Sequence, residues 1–199
     1  MVLDDETTDF FRIRHSLRWH ALRLRAFCFA AILCFSANAA RAEWAGDETE
    51  RLIDAVYDLR ATNGLNAIPL SPTLQRVARA HAADLERRPP SGRCNLHSWS
   101  PSGAWSPCCY TADHAQARCM WDKPREIGRG AYRGDGFEIV CWNSERMTTE
   151  IAMRCWRDSR AHQNVLLNRR EWRDIEWRAL GVAMSAHYAV LWVGQVAER

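Results

Sequence analysis

The chain lacks any apolar run long enough to cross a bilayer. Its longest, Ala26 to Phe35, is ten residues, against the ~20 that a spanning helix needs. It lacks an excess of charge as well. The 27 basic and 24 acidic residues give a net of +3, and the first 42 residues carry six arginines and four acids, so 21 against 20 remain beyond them. Such a balance provides no electrostatic footprint for nucleic acid or for an anionic membrane. There is no internal repeat, no low-complexity tract and no phosphate-cradling glycine loop, and no short metal-binding spacing such as H-E-x-x-H. These absences argue against a nucleic-acid binder, a nucleotide enzyme of the usual kind and a self-announcing metalloprotease, and leave an uncut membrane-anchoring helix at 26–35 as the alternative to a cleaved leader.

What is present begins with a processing signal. Arg12, Arg14, Arg18, Arg23 and Arg25 precede the short apolar run, and Ala37-Asn38-Ala39 and Ala40-Arg41-Ala42 follow as A-x-A cleavage candidates. The expectation is a signal peptide over residues 1–42 and one domain over 43–199, exported to a periplasm or secreted. No membrane span is expected to remain after leader cleavage. Eight cysteines are present, and six of them, Cys94, Cys108, Cys109, Cys119, Cys141 and Cys155, fall in the mature part. An even count in an exported chain implies disulfides, and six cysteines allow about 15 pairings. Cys108 and Cys109 are adjacent and are expected to pair with different partners. Read otherwise, Cys108, Cys109, His114 and Cys119 form a small zinc site.

Helix signals lie over 48–62, where Leu52, Ile53, Val56, Tyr57 and Leu59 make an apolar stripe between Asp47 as N-cap and Asn63-Gly64 as stop. Ser71-Pro72 opens a second helix, with Leu74, Val77, Ala78, His81, Ala82 and Leu85 on one face. On that face His81 reads as a core histidine bonded to backbone. From Arg88 to Gly136 the chain reads as one irregular region holding four of the six cysteines, and so long a stretch is usually functional when ordered. Thr148 or Thr149 caps a helix over 150–158, and Ser159 caps a shorter one after it. Arg169 to Arg178 reads as a charged loop with Trp172 and Trp177 folded inward. The segments 180–184 and 188–196 form a hairpin around Ser185-Ala186-His187.

The chemistry-bearing residues are His97, Glu138 and His162. Two imidazoles and a carboxylate are the inventory of an open zinc site or of a proton-transfer site. His162 falls in the first turn of a helix, where the dipole disfavours an imidazolium. A Ser159–His162 nucleophile pair is weaker, because a capping hydroxyl is already engaged.

The order of features resembles the CAP superfamily (cysteine-rich secretory, antigen 5 and pathogenesis-related proteins), and its bacterial SCP-like members in particular. The resemblance runs from Thr49 to Gln195. It rests on Leu59-Arg60-Ala61-Thr62-Asn63-Gly64, His81-Ala82-Ala83-Asp84-Leu85, His97-Ser98-Trp99-Ser100 and Phe137-Glu138-Ile139. It continues through Trp156-x-x-Ser159-x-x-His162-x-Asn164-Val165-Leu166, Leu180-Gly181-Val182 and the strand around Trp192. It implies an α+β fold, a three-layer α-β-α sandwich with a disulfide-braced long loop. It also implies a cleft lined by His97, Glu138 and His162, with His97 and His162 as ligands of a divalent metal such as zinc in some members. Glu138 stands in the place of the Gly-Glu-Asn glutamate but between Phe137 and Ile139, and Ser159 stands where eukaryotic members carry a second acid. The expected function is a secreted binding module taking a divalent metal, a small apolar ligand or a peptide. The alternatives are a metal-dependent, peptidase-like hydrolase using His97, His162 and Glu138, and a protein that captures an extracellular protein through its 94–119 loop.

Overall fold

The computed structural model describes residues 46–198; the proposed leader lies outside them. Helix α1 covers 46–62 and ends where Gly64 adopts φ +73°. Because residue 46 is already helical, Asp47 lies inside the helix and is not its cap. Helix α2 (Pro72–Arg87) begins as the sequence predicts: the Ser71 hydroxyl accepts the Leu74 N–H and Pro72 occupies the first helical position. The long region after it contains a helix that the sequence pattern does not announce, α3 (Ala117–Gly128), with Pro124 inside it. Strand β1 (Phe137–Trp142) follows, then α4 (Thr149–Asp158) capped by Thr148 and α5 (Arg160–Leu166) capped by Ser159. A 3-10 turn (Arg170–Trp172) interrupts the charged loop before the hairpin of β2 (Ala179–Met184) and β3 (Tyr188–Gly194).

The three strands form an antiparallel sheet in the order β1-β3-β2. Successive side chains of a strand point to opposite faces, and here both faces are apolar. Ile139, Cys141, Leu180, Val182, Met184, Ala189, Leu191 and Val193 face one core with α1, α4 and α5. Val140, Ala179, Ala183, Tyr188, Val190 and Trp192 face a second core with α2 and α3. Helices on both faces of one sheet make the three-layer α-β-α sandwich that the sequence predicts. Buried polar groups tie the helices of the first layer together. Glu48 accepts both the Thr149 N–H and its hydroxyl at the start of α4, 2.8 and 2.9 Å away. Arg60, buried, donates to the carbonyls of Asn66 and Leu166 and to the Asn168 side chain. Among the described residues no helix is long and apolar enough to cross a membrane.

The six cysteines pair as Cys94–Cys109, Cys108–Cys119 and Cys141–Cys155, so the adjacent pair does bond outward to different partners. That engagement removes the alternative zinc site at Cys108, Cys109, His114 and Cys119, since a disulfide sulfur is no thiolate ligand.

Gly181 fixes how closely α2 lies on the sheet. A Cβ there would stand 2.1 Å from the backbone carbonyl carbon of Leu74, and backbone cannot swing aside. Gly181→Ala is expected to cost about 3 kcal/mol, the upper range for overpacking, read as a lowered urea midpoint.

Candidate functional site

The site grows from the alternation of β1. Glu138 points to the α2 side of the sheet, in register with Trp192 of β3 and through it with Gly181 of β2. The close approach at Gly181 brings the buried face of α2 down on this row, and His81 lies on that face between Ala78 and Leu85. His81 and Glu138 are both buried, and His81 Nδ1 meets Glu138 Oε1. The other ring nitrogen, Nε2, lies 3.0 Å from the Ser98 carbonyl oxygen. Both ring nitrogens of His81 are thus engaged, one by the Glu138 carboxyl and one by a backbone carbonyl. Burial by itself would raise the Glu138 pKa. The charges and hydrogen bonds of His81 and His97 outweigh it and hold the carboxyl below its ordinary range. The buried carboxyl is thus paired with a buried imidazole. The His81 ring stacks on Trp99, with centroids 4.1 Å apart and planes 7° from parallel.

The second carboxylate oxygen is taken by His97, whose Nδ1 lies 2.7 Å from Glu138 Oε2. The His97 side chain is 21% exposed, whereas those of His81 and Glu138 are fully covered. His97 is thus the member that faces outward. The long loop presents it. The His97 N–H donates to Asn95 Oδ1, the Asn95 N–H to the Tyr110 carbonyl, and Trp99 and Cys108 exchange backbone bonds. Tyr110 packs edge-on against the His97 ring, with centroids 5.3 Å apart. Burial and the Glu138 charge raise the pKa of this tyrosine, so it stays a phenol whose hydroxyl meets His114 Nδ1 at 3.0 Å.

His162 comes from α5. The Ser159 hydroxyl accepts its backbone N–H at 3.3 Å, as a cap, and is not poised as a nucleophile. The His162 pKa is lowered to about 4, by burial first and then by the His97 charge, with Glu138 pulling the other way. His162 is therefore neutral at pH 7. Its Nδ1 is buried without a hydrogen-bond partner.

The structure thus joins His97 and Glu138 by a hydrogen bond and sets His162 close enough to feel both charges. It adds His81, the member that sequence reasoning assigned to the core. The reading of His81 as bonded to backbone holds for one nitrogen and misses the other. The signal that could have found it is a buried acid at Glu138 with no basic neighbour in sequence. A buried carboxylate needs a partner, and the histidine on the facing helix supplies one. Lys123 was also missed: fully buried, it donates to the Ser106 carbonyl at 2.6 Å and to Glu126 at 2.9 Å, and lies 5.6 Å from the Trp99 ring centre.

A divalent metal would find a thin donor set here. Both Glu138 oxygens are engaged by imidazole N–H groups, and the Nδ1 atoms of His81 and His97 point at the carboxylate. Among the described residues no group of three or more His, Cys, Asp and Glu side chains is arranged to hold a metal ion. The outward nitrogen of His97 and the imidazole of His162 are what remains, fewer than the three protein ligands of a catalytic zinc.

No protein-family model matches the sequence, and no curated protein matches it. Solved structures do match the fold. An extracellular protein containing a SCP domain, from Bacillus anthracis, superposes with a TM-score of 0.55 at 14% identity, covering 78% of this chain and 43% of that one. A cysteine-rich secretory protein from Staphylococcus aureus superposes with a TM-score of 0.50 at 12% identity, covering 76% of this chain and 39% of that one. The fold is accordingly that of an SCP domain. The chain spans about two fifths of the length of these two proteins.

Two outcomes follow from the electrostatics. Glu138→Gln removes the buried carboxylate that His81 and His97 both engage and should lower unfolding free energy by about 3–5 kcal/mol, measured by urea titration at pH 7. His162, with a depressed folded pKa, contributes stability that is complete above its unfolded value of about 6.5 and is lost as pH falls to about 4. That loss should be on the order of 2–3 kcal/mol, and Glu138 adds a further loss below the ordinary carboxyl range. His162→Asn should flatten the decline between pH 6.5 and 4.5 and leave the steeper acid limb in place.

Proposed function

We propose that this chain is an exported binding module of the SCP fold, whose cleft takes a peptide or small apolar ligand against His97 and His162 without cleaving it. One observation carries this reading. The acid of the site is committed to two histidines and sealed from solvent. A general base must be within reach of the proton it removes, and Glu138 is not. What faces outward is a hydrogen-bonding surface. His97 is held through Nδ1 by Glu138, its side chain is partly exposed, and the edge of Tyr110 stands beside it. Aromatic and imidazole groups of this kind fix the orientation of a mostly apolar ligand. Three disulfides support export, since such bonds persist in oxidising compartments.

A hydrolase with zinc held by His97 and His162 and served by Glu138 has less in its favour, for the same reason. Zinc binding by the two imidazoles alone would be weak, in keeping with a sparse set of ligands. The test is a fluorescence titration of the oxidised protein with sterols, fatty acids and short peptides, beside an assay for release of peptide fragments. Saturable quenching by one of these, weakened at least about tenfold in His97→Ala, with no fragment release, is the expected result. Fragment release that is lost in the His97→Ala, His162→Ala double variant would overturn the reading in favour of the hydrolase.

A further inference from the structure

Arg60, near the end of α1, is a charge without a counter-charge. It is 5% exposed, and an arginine stays protonated at any physiological pH. Burial pulls its pKa below the ordinary arginine value, and no neighbouring acid opposes that pull. Its hydrogen bonds go to neutral oxygens instead. Nε donates to the Asn66 carbonyl at 2.9 Å, and Nη1 to the Leu166 carbonyl at 2.6 Å and to Asn168 Oδ1 at 2.8 Å. The one N–H of Nε and the two of Nη1 are thereby spent. Nη2 carries two more, has no partner among the described residues and is not sealed from solvent.

That nitrogen is what Arg60 has left for the cleft it lines, a space of about 630 Å³. The cleft is firmly built. Asn168 takes the left-handed backbone conformation, at φ +48°, and its amide works in two directions. Its Oδ1 receives Arg60, while its Nδ2 donates to the Ile175 carbonyl at 2.7 Å. One side chain thus fixes both the guanidinium and the loop opposite it. Leu65, Ile175 and Trp177 give the cleft an apolar wall, and the Trp177 indole is pinned by donation to the Val165 carbonyl at 2.9 Å. Arg173 and Arg178 also stand at the cleft, but they are exposed and paired with Asp174 and Glu176. Arg60 is the buried cation there, and it is the one that lacks an acid. None of His81, His97, Glu138 and His162 lines this space.

We propose that this cleft binds an organic monocarboxylate with an apolar body, its carboxylate accepting from Arg60 Nη2 and its body lying against Leu65, Ile175 and Trp177. A buried ion calls for a partner of opposite charge, and a carboxylate on a guanidinium makes a charge-assisted hydrogen bond, stronger than the neutral ones already present. The charge count selects a monoanion. A phosphate dianion would bring a second negative charge next to Glu176, which lines the same cleft, and would leave the apolar wall uncovered. The site is separate from the histidine cleft and stands or falls without it.

The experiment titrates the oxidised full chain with phenylacetate, with its neutral counterpart phenylacetamide and with inorganic phosphate. The NMR resonances of the Arg60 Nε–H and the Trp177 indole N–H are followed. Phenylacetate should move both saturably, and phenylacetamide and phosphate should each bind at least about tenfold more weakly. An Arg60 resonance that phenylacetate leaves in place overturns the proposal. Equal binding of the amide overturns it as well, because the charge is then not what is recognised. Phosphate binding as tight as that of phenylacetate overturns it too, since the apolar wall then contributes nothing. The second arm is Ala67→Glu, at an exposed position on the cleft, which adds a negative charge without removing a buried contact. It should weaken phenylacetate at least about threefold through like-charge repulsion and leave phenylacetamide unchanged. Unaltered phenylacetate binding in that variant counts against the site.

Discussion

A single carboxylate sets the geometry on one side of the sheet. Glu138 lies on a strand with apolar neighbours at both sides, and the sheet face it points to is packed with tryptophan, tyrosine and valine. An ionised group in such a place is unfavourable by several kcal/mol unless it is paired. The pairing it finds comes from two segments far apart in the chain, His81 on α2 and His97 on the loop. Helix, strand and loop are therefore locked in one relative position by the need to satisfy a buried charge. Replacing a whole buried cluster of this kind with well-packed apolar residues is often neutral for stability. What the charges confer is a defined placement for an imidazole that reaches the surface.

The two faces of the sheet reach their order by different means. On the α1, α4 and α5 side, aliphatic packing is continuous, with Trp156, Leu166, Leu180 and Leu191 fully or nearly fully buried, and Arg60 satisfies the loose carbonyl of Leu166. On the α2 and α3 side the core is aromatic and contains the charges: His81 on Trp99, Lys123 over the same indole, Trp192 behind them. His81 and Lys123 therefore flank one indole, each with its own acidic partner, Glu138 and Glu126. The α2 and α3 face bears Glu138 and His81 and two of the three disulfides; the other face carries Cys141–Cys155 and, on α5, His162.

Much of the fold is legible in the sequence because its signals are local. Ser71-Pro72, Thr148, Ser159 and Gly64 announce helix ends through backbone chemistry that holds in any context. The 180–196 hairpin shows itself in its dense apolar run. Helix α3 does not, because Pro124 and the cysteines hide its periodicity, and the long loop is held by cross-links that sequence cannot pair. Strand β1 is equally quiet: six residues with an acid in second place read as an interruption until the facing helix is known. The site was half legible for the same reason. His97, Glu138 and His162 stand out as polar residues in apolar or cysteine-rich settings, and the resemblance to SCP domains placed them together. His81 sits in a perfect apolar stripe, and its second bond depends on a partner 57 residues away. Nothing within the helix encodes that.

The three disulfides share a property with a bearing on how the molecule comes into being. They join cysteines only 15, 11 and 14 positions apart. Each closes a small ring, and a ring of about 15 residues removes roughly 3 kcal/mol of chain entropy from the unfolded state. None of them links the first half of the fold to the last. The long-distance organisation, β1 against β3 and Arg60 against Leu166, falls to noncovalent forces alone. Each cross-link can therefore close within one short window of residues, before the strands that bury Glu138 have met. Oxidation would then prepare the loop in advance, and the final collapse of the sheet onto α2 would need no further covalent step.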